Sequence, residues 1–405
     1  MPDGSAGLLP ASGRVDLPDP LAIPALRGET GRPKAARDLR LDVFRGICLV
    51  MIFINHVPGN DFEAWTSRNF GFSDAAEGFV MISGIAAGLA YSADFRAPMR
   101  LWHGLTRIWK RCWTLYLVQM LVTLAALAAA ALAAKATGDS RILFENQMAW
   151  LWQRPLETLI GLPLLMHQFD YLNILPLYIL LLLASPLAMI GGWHWPRAVW
   201  AVSFAIWALF GITMTGVPLW PMEGNWFFNP MSWQVVFVTG LLIGIAQKDG
   251  RRLVPVTLWL QVLAGAYLLF ALVTVLWLDF SRGVGSTLWY LKDTVGVPWL
   301  FTDFEKSFLS APRLLHILAL TYFLSSFAWV RRLCATPFLH PFAVLGRHAL
   351  PVFAFGSVMA IGLQGLRHGL ERDILVDGML IGAGLALQFA LAFAREHWPK
   401  PAAAR

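Results

Sequence analysis

Arg45 and His56 stand eleven residues apart in the stretch RLDVFRGICLVMIFINHVPGN, and both side chains can do chemistry. In a helix, eleven steps of about 100° end within about 20° of three full turns. The two side chains therefore share one face, about 16 Å apart along the axis, and Asp42 joins them within about 60° of Arg45. An imidazole takes up a proton near neutral pH and serves as a general base. Ionisable groups on an apolar helix are expensive and usually face a polar interior. The strip predicts a route or a reaction site through a bilayer. The bland alternative is that Arg45 snorkels to the headgroups and His56 caps the outer helix end. Asn55 is turned about 100° away and is expected to pack against a neighbouring helix.

The next segment, NFGFSDAAEGFVMISGIAAGLAY, places Asp74 and Glu77 at i,i+3 at the outer end of a second apolar stretch. Gly84 and Gly88 fall within about 20° of the Glu77 face, a spacing that lets another helix approach closely. Glu77 is expected beside His56, where a carboxylate would hold the imidazole tautomer and stabilise its protonated form. Alternatively, Asp74 is a helix-cap charge and Glu77 pairs only a lysine or arginine. Arg107, Lys110 and Arg111, in RIWKRCWTLY, form a basic cluster at the inner start of a third stretch. Such a cluster anchors a helix at the cytosolic surface, and it also suits phosphate, which arginine binds in bidentate fashion. Further polar groups recur at the outer ends of later stretches: Asp170, Tyr171 and Asn173; Asn229, Ser232, Trp233 and Gln234; Arg313 and His316. Arg347 and His348 fall near the inside. The outer set forms one polar level, as cavity linings do.

These residues need a membrane scaffold to position them. The chain has 405 residues, 57% hydrophobic and 14% charged. A soluble domain carries about 25% charged residues. The 19 Trp and 27 Phe suit aromatic belts. The composition indicates an all-α polytopic membrane protein, and its net charge of +7 reads as a topology signal, with no nucleic-acid partner expected. Apolar stretches lie near 41–58, 75–93, 108–134, 171–191, 197–215, 232–247, 255–279, 312–330, 342–366 and 374–394, about ten spans. Residues 151–168, broken by Pro155 and Pro163, read as an interfacial or re-entrant piece. Basic residues cluster in alternate connections, which puts both termini in the cytoplasm. Residues 1–36 read as a disordered cytoplasmic tail without a cleavable signal, and 37–397 as the transmembrane domain. The outer connections 135–170 and 280–311 are rich in aromatic, Asp and Asn residues, which suits either a sugar-binding rim or headgroup anchors. Cys48, Cys112 and Cys334 form no metal or CxxC pattern, so neither a disulfide nor a metal site is expected.

The motifs together resemble a family. Arg45-x10-His56 is similar to the R-x10-H signature of the membrane acyltransferase-3 superfamily. FVMISGIAAG resembles its SGF segment, Arg107 to Tyr116 its basic third-helix motif, and LGRHALPVFAFG its LGxxSLxxF segment, with Ala349 in place of the serine. RDLRLDVFRGICLVMIFINHVPGN and RNFGFSDAAEGFVMISG resemble more narrowly the OpgC branch, succinyltransferases of osmoregulated periplasmic glucans. Branch members often carry an acidic residue where Asn55 stands. The resemblance implies a ten-helix enzyme of the bacterial inner membrane. It would move succinyl from cytosolic acyl-CoA (succinyl-CoA, a donor substrate, with no permanently bound cofactor) to hydroxyls of a periplasmic glucan. On this chain it implies Arg107 and Arg111, with Lys110 adjacent, at the CoA phosphates, Arg45 along the pantetheine route, and His56 as the base for the acceptor hydroxyl or a covalent carrier, while the reading of the second stretch adds Glu77 and Asp74 as its acidic partners. Candidates for binding the sugar, the oxyanion or the free carboxylate of the acyl chain are Asn69, Arg68, Asp170, Asn173, Trp233, Arg313 and His316.

Two other classes use the same residues. A proton-coupled transporter or flippase would use the charged strip as a path without covalent chemistry. A structural subunit presenting glucan would use the outer aromatics and leave Arg45 without a role.

Overall fold

A computed structural model describes residues 25–27, 33–35, 38–371 and 373–398. Ala25–Arg27 and Pro33–Ala35 pair as a short antiparallel ladder, with Leu26 opposite Lys34. The rest of the expected N-terminal tail lies outside the described residues.

From Leu39 onward the chain is helical. The principal helices are α1 (Leu39–Asn55), α2 (Ala75–Tyr91), α3 (Leu101–Thr137), α4 (Ile174–His194), α5 (Pro196–Ile212), α6 (Pro230–Lys248), α7 (Leu258–Leu276), α8 (Leu278–Asp293), α9 (Ala311–Ser326), α10 (Ala328–Cys334), α11 (His340–Arg347), α12 (Ala349–His368) and α13 (Ile374–His397). Local chemistry sets many of the ends. The Asp74 carboxylate accepts from the Ala76 N–H at 2.8 Å and the Glu77 carboxylate from the Asp74 N–H at 3.0 Å, a reciprocal capping box at the start of α2. Asn229 caps α6 through the Met231 N–H at 3.0 Å, with Pro230 at the first helical position. α3 stops at Gly138, whose φ of 71° suits a residue without Cβ.

All ten apolar stretches fall on helices. Seven helices are long and apolar enough to cross a bilayer, and an eighth span forms if α9 and α10 count as one. The chain is thus an all-α polytopic membrane protein. α1 and α5 have 17 residues each, which reach only about 25 Å. Three segments differ from expectation. The stretch 312–330 is bent by 84° between α9 and α10. The stretch 342–366 is broken at His348 into α11 and α12. The connection 280–311 opens with α8, a helix with no buried residue. The first two contain polar or aromatic break points that hydropathy averages away. In the third, the apolar and polar residues of an amphipathic helix cancel in a window average.

The bundle is tight where small residues meet. Gly84 and Gly88 of α2 face Gly240 and Gly244 of α6, and a Cβ on any of the four would run into backbone of the opposite helix. The expected close contact thus exists, and α6 is the partner. A second such crossing sets Gly46 of α1 against Phe342, and Gly346 of α11 against Asp42. With α2 held on α6 and α1 on α11, the His56 end of α1 and the Asp74 end of α2 are placed by backbone contact. Gly84→Leu cannot be relieved by a rotamer change, because the obstacle is the Phe237 carbonyl. This variant should lose more than about 3 kcal/mol and its monodisperse peak in size-exclusion chromatography of detergent-solubilised protein.

Candidate functional site

The site starts with His56, one residue beyond the last turn of α1. Its ring is half-buried, 4.9 Å from the Tyr171 ring and 6.5 Å from the Phe353 ring, centroid to centroid. Among the described residues the imidazole makes no hydrogen bond, while the charges of Lys306 and Asp74 reach it through space. Its backbone carbonyl accepts from Gln364 Nε2 at 2.6 Å. The following turn is held as firmly. Asn60 Nδ2 donates to the carbonyls of Ile54 and Val57 at 2.9 and 2.6 Å, and Arg367 donates to those of Pro58 and Gly59 at 2.6 and 2.8 Å. Asp377 of α13 pairs Arg367 at 2.8 Å, and both are nearly buried.

The acidic residues of α2 do not join the imidazole. Glu77 is fully buried and accepts from Arg313 Nε at 2.8 Å. Asp74 accepts from Lys306 Nζ at 2.6 Å and from Arg313 Nη2 at 3.4 Å. Two carboxylates and two cations form a closed ionic cluster. Burial alone would push the Asp74 carboxyl up, but the adjacent Lys306 and Arg313 charges outweigh it and hold the group below its ordinary range. The expectation that Glu77 holds the imidazole is therefore corrected: a fully buried carboxylate takes the guanidinium within reach.

A cleft of about 480 Å³ is lined by Gln147, Asp170, Asn173, Trp226, Trp299 and Glu305 among others, and His56 is not part of its lining. Two connections join it to the imidazole. Tyr171, which packs on His56, sits between the lining residues Asp170 and Asn173 with a φ of 68°. That left-handed conformation is costly for a tyrosine and persists only where the surroundings impose it. On the opposite wall, Lys306 is flanked by the lining residues Glu305 and Ser307. Trp226, 5% exposed, has an indole N–H without a partner among the described residues, and Trp299 has another. The Asn173 amide makes no hydrogen bond among the described residues. Burial pushes the Asp170 carboxyl above its ordinary range, and a hydrogen bond from Gln147 partly offsets this. Amides, indoles and carboxyl groups in one recess suit a ligand rich in hydroxyls.

The remaining candidates divide. Asp170 and Asn173 line the cleft. Trp233 does not: it is fully buried, and its indole N–H donates to the carbonyls of Lys306 and Ser307 at 3.1 Å, so it offers no face for stacking. His316 is buried behind the chain before α2, its Nδ1 2.7 Å from Ser73 Oγ, with no room between its ring and Gly71. Asn69 spends its amide on the Glu63 carbonyl at 2.6 Å, and Arg68 pairs the Glu63 carboxylate at 3.3 Å. Arg313 already serves Glu77 and Asp74, which leaves it no free fork for another carboxylate. Asn55 accepts from Thr66 Oγ1 at 2.9 Å in the following loop, and not from a neighbouring helix.

At the other end of α1, Arg45 lies 3.9 Å from Asp42 and donates to the Ile82 carbonyl at 3.5 Å. Arg107 is committed to Asp94, as is Arg100, each at 2.7 Å. Lys110 and Arg111 make no ion pair or hydrogen bond among the described residues. Arg347 and His348 both bind Glu396, at 2.6 and 2.8 Å. Sequence inspection missed Gln364, Arg367 and Asp377. A Gln and an Asp inside apolar stretches were the available signal.

Long apolar helices, a buried ionic cluster and a polar recess define a membrane protein with a polar interior. The chain matches the family described as OpgC protein over residues 37–400, nearly its whole length, and it belongs to that family. Membership implies an acyltransferase-type enzyme. No curated protein and no solved structure matches the chain.

Arg313→Met should leave Glu77 buried without its cation, a loss of about 3–5 kcal/mol, read as a lower melting temperature in detergent; adding Glu77→Gln should restore much of it. Asp74 titrates below its unfolded value, so its stabilising contribution is whole at neutral pH and disappears only as pH falls through the lowered value. Between about pH 8 and about pH 5 the melting temperature should therefore not change through this group.

Proposed function

We propose that this protein transfers an acyl group, succinyl by family resemblance, from cytosolic acyl-CoA to a hydroxyl of a periplasmic glucan, in the bacterial inner membrane with both termini cytoplasmic. The carrying observation is His56: an imidazole without a hydrogen bond among the described residues, packed on Tyr171, whose neighbours Asp170 and Asn173 line a recess of amides, indoles and carboxyl groups, in a chain of the OpgC family. A sugar hydroxyl is a weak nucleophile and needs a base at its proton. In the proposed step the hydroxyl oxygen bonds to the thioester carbonyl carbon while His56 takes the hydroxyl proton. The tetrahedral intermediate then expels the CoA thiolate, which receives that proton. The sugar occupies the cleft, within reach of Asp170, Asn173 and the indole N–H of Trp226. Free donors such as the Asn173 amide suit the developing oxyanion better than Arg313, which is already neutralised. Asp74 and Glu77 act at a distance, by placing Lys306 and Arg313. The donor enters from the Arg45 end, where Lys110 and Arg111 carry uncommitted charge for its phosphates.

Purified protein with succinyl-CoA and a β-glucan oligosaccharide should release free CoA only when the glucan is present. Glucan movement without CoA release would mark a transporter instead. His56→Ala should lower kcat by about 10²–10⁴-fold at normal folded yield, and full activity in that variant would remove the base. Lys110→Glu with Arg111→Glu should weaken acyl-CoA binding by about tenfold or more, measured by calorimetry. Arg107→Glu should instead reduce folded yield, because it faces the carboxylate of Asp94.

A further inference from the structure

We propose that Gln364 is a positioning residue: its side-chain amide bridges the cleft-lining loop at Asn146 and the backbone of His56, and so sets the imidazole against the cleft. The inference rests on the function proposed above.

Gln364 lies on α12, a membrane-spanning helix, and is 6% exposed. A buried amide in such a helix is retained only where its polar atoms are used. Both ends of this one are. Oε1 accepts from Asn146 Nδ2 at 2.6 Å, and Nε2 donates to the His56 carbonyl at 2.6 Å. The two bonds point to different segments, 218 and 308 residues away along the chain. The loop side leads directly to the cleft. Asn146 and Gln147 have φ of 51° and 67°, both left-handed, and Gln147 donates to Asp170 at 3.3 Å. Gln147 and Asp170 both line the cleft. The other side leads directly to the base, since the bonded carbonyl belongs to His56 itself. One turn further along α12, Arg367 fixes Pro58 and Gly59, so a single helix face holds the turn on which the imidazole stands.

An amide accepts at its oxygen and donates at its nitrogen at any pH, whereas a carboxylate of the same length only accepts unless it is protonated. Leu would lose both bonds. A misplaced base costs rate far out of proportion to its displacement, up to about 10²-fold for about 1 Å. Donor binding at the Arg45 end should not feel the change.

The test measures succinyl transfer from succinyl-CoA to a β-glucan oligosaccharide by the purified full chain, with folded yield and melting temperature recorded for each variant. Gln364→Leu should lower kcat by about tenfold or more, leave the KM for succinyl-CoA within about twofold, and displace the pH profile of kcat. Asn146→Gly removes the loop end of the bridge at a backbone conformation that glycine accepts. It should also lower kcat, and combined with Gln364→Leu it should cost no more than Gln364→Leu alone. Normal kcat in folded Gln364→Leu or Asn146→Gly overturns the proposal, as does a loss that merely tracks folded yield, or additive losses in the double variant. His56→Ala separates the two readings. Full activity there overturns the base assignment and this inference with it. Inactive His56→Ala alongside normal Gln364 and Asn146 variants overturns the positioning role alone.

Discussion

A carboxylate with no access to water must find a cation, and among the described residues Arg313 is the cation in direct contact with Glu77. Much of the architecture at the His56 end follows. Arg313 begins α9, Lys306 stands in the loop before it, and Asp74 caps α2, so one ionic cluster ties two helix starts and a loop together. The same loop is held from below by the buried indole of Trp233. Its residues Glu305, Ser307 and Phe308 form a wall of the cleft. The Lys306 and Arg313 charges of this region are balanced by Asp74 and Glu77, and the Glu305 carboxylate accepts from the N–H groups of Ser307 and Phe308.

The facing side is built on different chemistry. The turn after α1 is held by hydrogen bonds to backbone carbonyls, from Asn60, Gln364 and Arg367. Carbonyls at a helix C-terminus lack partners and must be satisfied when they are not in water. Satisfying them with side chains from α12 leaves the His56 ring itself uncommitted. An imidazole whose backbone is immobile and whose nitrogens are free is well placed for proton transfer. A buried imidazole already spent on a neighbour, as His316 is on Ser73, is not.

The Arg45 end contrasts with this neutrality. Asp94 collects Arg100 and Arg107, and Arg347 and His348 share Glu396. Lys110 and Arg111 remain outside these pairs. A surplus of positive charge at one end suits a donor with phosphates, and a recess lined by amides, indoles and the carboxyl groups of Asp170, Asp303 and Glu305 suits an acceptor rich in hydroxyls.

Much of this was legible in the residues. Hydropathy located the long apolar helices but not the amphipathic α8, because burial in lipid demands long apolar runs with internally satisfied backbones and a surface helix does not. The Asp74/Glu77 capping box and the glycine spacing of α2 could be read locally, since both depend on residues within one or two turns. The family of the chain was visible in its first two helices. Partnership was not legible. Whether Glu77 met His56 or Arg313, whether Trp233 faced a ligand or a loop, and whether Gln364 touched anything at all depended on groups more than 70 residues apart in the chain. Composition and periodicity specify which residues must leave lipid. Only the packed bundle decides which of them meet, because an ion or an amide bonds the nearest satisfying partner in space and carries no mark of it in sequence.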